Sequence, residues 1–411
     1  MKKIFYGWVI VCSAFAVLFL TYGAQYSFGV FIPAMLDDLG WTRASLGGAF
    51  SLYTVVYTSL SVVSGRLTDS LGARRVIGIG AVLLGMGLIL TSQVTAHWQI
   101  YLCYSIVAAV GMSTAYIPCN MTVVRWFVRQ RGVALGLASS GASCGFLFVP
   151  LIAGYLIVET NWRTALLVIA VVVLIVISIV ARFMVSSPES IGLAADGEID
   201  SNHAFDTTPK SVSATPTGMR LGEAVNTRAF WILLAAFTIA MLSLTVPFVH
   251  IVGHAHDLGV SGIRAAMTVS IIGLFSLVGS VSLGVLSDRL GRKLTMLSAF
   301  AFQVVAFGLF LMAETLYGVY CGAAFFGLFY GGFATLYPAL VGDLFGRAHA
   351  GAIGGAIFGA GGFLGGWGPA IAGYLRDISG DFELAFLCCV ITAVLGLFLL
   401  ALMPSPNARP T

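Results

Sequence analysis

Charge is what this chain has least of. Only 9% of its 411 residues are Asp, Glu, Lys or Arg, against 59% hydrophobic residues, and the mean hydropathy is +0.98. A water-soluble domain carries charge at about a quarter of its positions, so a soluble enzyme or soluble binding module is excluded. Cysteine is sparse too. Cys12, Cys103, Cys119, Cys144, Cys321, Cys388 and Cys389 all fall in apolar runs, without the spacing of a zinc site or a disulfide framework. They read as free thiols, and no metal is expected. There is no Walker loop and no nucleophile elbow, and Gly-x-Gly patterns such as Gly78-Ile79-Gly80 lie inside apolar stretches. An enzyme and an ATP-driven pump are therefore excluded, and no cofactor is expected. The formal net charge of +4 is no pointer to nucleic acid, because its distribution follows a membrane.

What is present in quantity is apolar sequence in membrane-sized lengths. A bilayer asks for about 20 apolar residues per helix, with every backbone group satisfied inside that helix. The pattern predicts about twelve spans, at 6–33, 44–65, 74–93, 98–124, 132–157, 163–185, 228–252, 263–286, 294–313, 317–341, 350–374 and 383–403. The fold class is thus an all-α membrane protein. Met1-Lys2-Lys3 before a long apolar run resembles a signal peptide. No small-residue cleavage site follows at the right distance, so it is read as an uncleaved first span. With both termini inside, the cytoplasmic stretches hold Lys2, Lys3, Arg66, Arg74, Arg75, Arg125, Arg129, Arg131, Arg182, Lys210, Arg220, Arg228, Arg289, Arg292, Lys293, Arg347 and Arg409. The outer loops hold Arg43, Arg163, Arg264 and Arg376. That asymmetry sets the orientation by the positive-inside rule. It implies a multi-pass plasma-membrane protein, in a bacterium the inner membrane, with the lipid bilayer as its partner.

One long polar stretch, 186–227, is rich in Ser, Thr, Pro and Asp and cannot bury apolar area. It reads as a cytoplasmic linker between an N-terminal six-helix bundle, 1–185, and a C-terminal one, 228–411. Across it the sequence repeats with a constant offset of 219. Asp38-Leu39-Gly40 recurs as Asp257-Leu258-Gly259, Gly65-x-x-x-Asp69-x-Leu71-Gly72 as Gly284-x-x-x-Asp288-x-Leu290-Gly291, and Pro150 with Gly154-Tyr155 as Pro369 with Gly373-Tyr374. Several matches in one register mean a parallel duplication, which places a substrate site near the midplane between two pseudo-symmetric halves. One chain then holds both halves of a pathway, so a monomer is expected to suffice.

The run Gly65-Arg66-Leu67-Thr68-Asp69-Ser70-Leu71-Gly72-Ala73-Arg74-Arg75 resembles the loop 2–3 signature of the major facilitator superfamily. Gly284-Val285-Leu286-Ser287-Asp288-Arg289-Leu290-Gly291-Arg292-Lys293 resembles its loop 8–9 counterpart. The functional reading is a conformational latch of Gly65, Asp69, Arg74, Gly284, Asp288, Arg289 and Arg292. Glycine lets helix ends approach, and Asp suits a helix N-terminus or an Arg partner. Topogenic charge alone is the alternative. Tyr6-Gly7-Trp8, Phe28-Gly29-Val30-Phe31, Gly40-Trp41-Thr42-Arg43-Ala44, the run from Arg125-Trp126-Phe127 to Gly136, and Pro188-Glu189-Ser190-Ile191-Gly192-Leu193 are similar to monocarboxylate transporters and bacterial oxalate/formate exchangers. The resemblance implies transport of a small organic anion such as lactate or pyruvate, commonly with a proton.

It also implies an Arg on the eighth span for the anion. At that position this chain has Ser280, and at the position matching the family's proton-linked Asp it has Ser276. The family's helix 1 Lys falls near Tyr26, and 351–375 holds no basic residue. Three readings stay open: a carboxylate held by neutral donors and helix dipoles, an uncharged solute or exchanged carboxylate, or an ordinary member altered at 280. A non-transporting sensor is the alternative from another class, but the linker and tail are short for an output domain. Candidate lining residues are the mid-span polar and aromatic ones: Gln25, Tyr26, Tyr116, Cys119, Asn120, Ser143, His250, Ser276, Ser280 and Tyr330. For a proton, His250 and Asp257 stand out, since histidine is the side chain that titrates near neutrality.

Overall fold

The computed structural model describes residues 5–41, 43–195, 218–259 and 263–403. Most of the expected linker, 196–217, lies outside them, as does the side chain of Asp257. Twelve helical units follow in order: α1 Tyr6–Leu39, α2 Arg43–Leu71, α3 Ala73–Thr91, α4 His97–Trp126, α5 Arg131–Glu159 and α6 Trp162–Ala181, then α7 Arg228–Leu244 continued as Val246–Asp257, α8 Ile263–Leu290, α9 Arg292–Leu311, α10 Leu316–Phe345, α11 Ala350–Gly365 continued as Gly368–Ser379, and α12 Glu383–Ala401. Eleven helices among the described residues are long and apolar enough to cross a membrane, and Ala350–Gly365 is a shorter apolar one. The expected ends are short by four to six residues where helices leave the hydrocarbon, as at Leu39, Leu71 and Phe345.

Breaks in the helices have local causes. Pro118 lacks an N–H and crowds the Thr114 carbonyl, and α4 loses its helical turn at Ser113–Ala115. Pro247 does the same to α7, which breaks at Thr245. Elsewhere hydroxyls that would be stranded in lipid donate to the carbonyl four residues back, as Thr21 does to Val17 at 2.8 Å, Thr68 to Ser64 at 2.7 Å and Thr122 to Pro118 at 2.7 Å.

Packing sorts the helices into two roles. α1, α2, α4 and α5 face α7, α8, α10 and α11, with α2 against α11 and α5 against α8 across the centre. α3 and α6 pack together at one flank, and α9 and α12 at the other. Their outer faces are apolar and exposed: Val168, Val172, Ile175 and Ile179 form one stripe of α6, and Leu387, Ile391, Val394 and Phe398 one of α12. In water such stripes would drive aggregation; against acyl chains they are stable.

Candidate functional site

At the end of the bundle that carries the basic loops, the two halves are sealed by backbone. Gly65 of α2 meets the Gly351 carbonyl of α11, and Gly132 of α5 meets the Gly284 carbonyl of α8. These are the same contact twice, since the 219-residue offset maps Gly65 onto Gly284 and Gly132 onto Gly351. Any side chain would hold the helices apart, because backbone faces it on the other side. One turn further along, Gly136 packs on Ser280 and its repeat, Gly355, on Ser61.

Carboxylates complete the seal. Asp69 accepts from the Ala352 N–H at 2.7 Å and pairs with Arg125, while Asp288 accepts from the Gly132 and Val133 N–H groups, each at 2.9 Å. Each aspartate thus sits at the N-terminus of a helix in the other half, where free N–H groups and the helix dipole favour a negative charge. The second half adds a network: Arg292 pairs with Asp288 at 2.5 Å and Asp343 at 3.2 Å, and Arg131 crosses from the first half to Asp343. Arg125 and Arg347 exchange guanidinium-to-carbonyl bonds across the halves, and Glu189 lies 3.8 Å from Arg347. Of the expected latch, Gly65, Asp69, Gly284, Asp288 and Arg292 come together here. Arg74 and Arg289 point outward and are exposed. Arg125, Arg131, Asp343 and Arg347 join these contacts and were not among the expected latch residues, although Arg125 and Arg131 stood in a quoted motif.

Above this seal lies a cavity of about 380 Å³ between the halves. α1 starts at the latch end and α2 at the opposite one, so Gly29 and Ile32 of α1, Gly47 and Phe50 of α2, and Gly366 at the break in α11 carry the cavity toward the far end. A methyl group at Gly29 or Gly47 would meet open space. The described conformation is closed at the latch end and open away from it. Tyr22, Tyr26, Tyr57, Tyr116 and Tyr330 line the chamber with Phe248, Phe333 and Phe358; hydroxyls come from Thr54, Thr58, Ser139, Ser143 and Thr245. Among the described residues, no Asp, Glu, Lys, Arg or His lines the cavity. Tyr26 and Tyr330 share a 3.1 Å hydrogen bond across the halves, and Tyr116 donates to the Ala334 carbonyl at 2.7 Å. Tyr26, Phe146, Phe248 and Tyr330 form an aromatic cluster over one flank.

Of the expected lining, Gln25, Tyr26, Tyr116, Ser143 and Tyr330 reach this cavity. Cys119, Asn120, His250, Ser276 and Ser280 stand outside its lining. Asn120 is fully buried, donating to the Tyr116 carbonyl at 3.0 Å and accepting from Ser139 at 3.2 Å. Cys119 is packed in the same core. Ser276 shares a 2.7 Å bond with Ser143, and Ser280 donates to the Ser276 carbonyl at 2.8 Å. The position where the resemblance expects a cation is 0% exposed, pinned between Gly136 of α5 and Gly331 of α10. His250 bonds the Pro369 carbonyl at 2.9 Å, within the second half. Tyr22, Tyr57, Phe248, Phe358 and Thr245 were missed, since aromatic residues on a membrane helix give no signal of which face they occupy.

This architecture of two six-helix halves around a central cavity, latched at one end, defines a class of membrane transporters. The Major Facilitator Superfamily model matches residues 14–369 and 233–411, and the chain belongs to that family. It is 28% identical to monocarboxylate transporter 11 of Mus musculus over 99% of this chain and 89% of that protein. It is 27% identical to monocarboxylate transporter 13 of Bos taurus, over 96% and 87%. Among solved structures, a proton:xylose symporter superimposes with a TM-score of 0.78 at 14% identity, covering 97% of this chain and 96% of that one. The E. coli fucose:proton symporter gives 0.70 at 16%, covering 96% and 98%. The chain is a multi-pass membrane transporter and not an enzyme.

Proposed function

We propose that this chain carries a small monocarboxylic acid, lactate- or pyruvate-like, by alternating access and together with a proton. The observation that carries the reading is the cavity between the halves, closed toward the latch and open toward the far end, of a size for a small organic acid. The monocarboxylate transporters to which the chain is similar along nearly its whole length support the solute class. In this reading residues 1–185 and 228–411 rock as two units joined by 186–227, and the latch holds one end of the cycle. The basic end faces the cytoplasm of a plasma membrane, with both termini inside, and the monomer is the working unit. Neutral donors replace the family's arginine, and Ser280 serves helix packing.

An uncharged solute is the second reading, favoured by the charge-free lining. Uptake of labelled lactate into proteoliposomes, with and without an inward proton gradient, separates the two. The expected outcome is uptake above that of protein-free liposomes, raised by the gradient. No lactate uptake, with labelled lactamide taken up instead, would select the second reading.

A further inference from the structure

The chamber contains an acceptor with nothing to accept. Gln25 is 4% exposed and lines the cavity, and its carbonyl oxygen Oε1 has no partner among the described residues. On the other half, the buried Thr245 hydroxyl at the α7 break lacks a partner as well. The 219-residue offset places Thr245 opposite Tyr26, the neighbour of Gln25, so the two groups belong to equivalent levels of the two halves. Buried amide carbonyls are nearly always paired, so an unpaired one on a residue that lines a cavity calls for an explanation, and a ligand donor supplies one.

A carboxylate has no proton to donate, and it would enter this chamber with no cation to meet it. Around Gln25 the titratable groups are Tyr22 and Tyr26 on α1, Tyr57 on α2, Tyr116 on α4 and, across the cavity, Tyr330 on α10. α5, packed on α1, contributes Ser139, Ala142 and Ser143 to the lining, and its Arg131 lies at the latch with Asp69 and Arg125. A neutral carboxylic acid has what each orphan lacks: an O–H to donate to Gln25 Oε1 and a carbonyl oxygen to accept from the Thr245 hydroxyl. At pH 7 about one carboxylic acid molecule in a thousand is neutral when its pKa is near 4. Desolvating an unpaired carboxylate is the steeper penalty.

We propose, resting on the monocarboxylate reading above, that this site binds and carries its substrate as the neutral acid, with Gln25 Oε1 as the acceptor of the acid proton. The anion takes up its proton from solution on the loading side, crosses with it, and releases it on the other side. No protein group changes its protonation, and transport is electroneutral with one proton per acid.

The test is labelled lactate uptake by proteoliposomes of the full chain, corrected for protein-free liposomes. At fixed total lactate the initial rate should fall about tenfold per pH unit above the acid's pKa, and should be constant once divided by the concentration of neutral lactic acid. Lactamide, whose N–H can replace the acid O–H, should compete; methyl lactate, which lacks that donor, should compete at least tenfold more weakly. Rates that track the lactate anion, or equal competition by the two analogues, overturn the proposal. Lactamide binding to the solubilised chain provides a readout independent of transport. It should be lost at least tenfold in both Gln25→Leu and Gln25→Met, each checked for an unchanged melting profile. Lactamide binding without lactate uptake counts against the transported solute, not the acceptor; no lactamide binding, or binding that survives both substitutions, overturns the acceptor.

Discussion

At the scale of single residues, the chain's most constrained positions are those with no side chain. Gly132 and Gly284 touch through their backbones, as Gly65 and Gly351 do, and neither partner can move aside without shifting a helix. Gly132→Val should therefore destabilise the conformation closed at the latch, by about 1–3 kcal/mol, as overpacking does. The check is an impermeant maleimide applied from the latch side to a cysteine at the fully buried Met121, in a background without native cysteines. Faster labelling is expected in the Gly132→Val variant, and an unchanged rate would contradict the role given to the glycine pair. Ser280 illustrates the same constraint. Its motif position suggested a missing cation, but its backbone is gripped by Gly136 and Gly331 from two sides, and its fully buried hydroxyl donates to the Ser276 carbonyl.

At the scale of helices, each latch aspartate acts on an element it does not belong to. Asp288 ends α8 and caps α5, receiving two N–H groups of its first turn, and Asp69 ends α2 and caps α11. Asp288→Asn removes the charge that favours the α5 terminus and the pairing to Arg292, leaving weaker neutral bonds. Loss of charge-assisted bonds of this kind costs roughly 1–3 kcal/mol, so the latch-open population should rise about five-fold to a hundred-fold. Spin labels at positions 74 and 289 provide the measurement, since both arginines are exposed at the latch end, one on each half. A second, longer distance should grow in the Asp288→Asn variant; a single distance, as in the parent, would argue against Asp288 as a closure element. Helix breaks also act at this scale. Pro247 opens α7 at Thr245, a residue that lines the cavity.

For the whole molecule, closure at one end and opening at the other are one geometric fact. The halves meet where glycine and carboxylate let them, and the space left beyond becomes the cavity. Cysteines placed at Ile32 and Gly366, which line its open part, should label with an impermeant maleimide from the side opposite the latch. Cysteines at the buried Val124 and Ile353 should be protected from that side. Equal labelling of the two pairs would contradict a pathway closed below and open above.

The number of helices, their approximate limits and the internal repeat were legible in the linear chain. In lipid each helix must be apolar and hydrogen-bonded on its own, so the constraint acts locally and leaves a run-length signature. The latch aspartates were legible for a similar reason, being charged residues fixed at loop ends by a repeated motif. Lateral arrangement left no such trace. Lipid-facing and helix-facing positions are equally apolar, so only packing revealed which tyrosines turn inward. It also brought Asp343, far along the chain, between Arg131 and Arg292, and left Gln25 Oε1 rather than the Ser280 hydroxyl without a partner among the described residues.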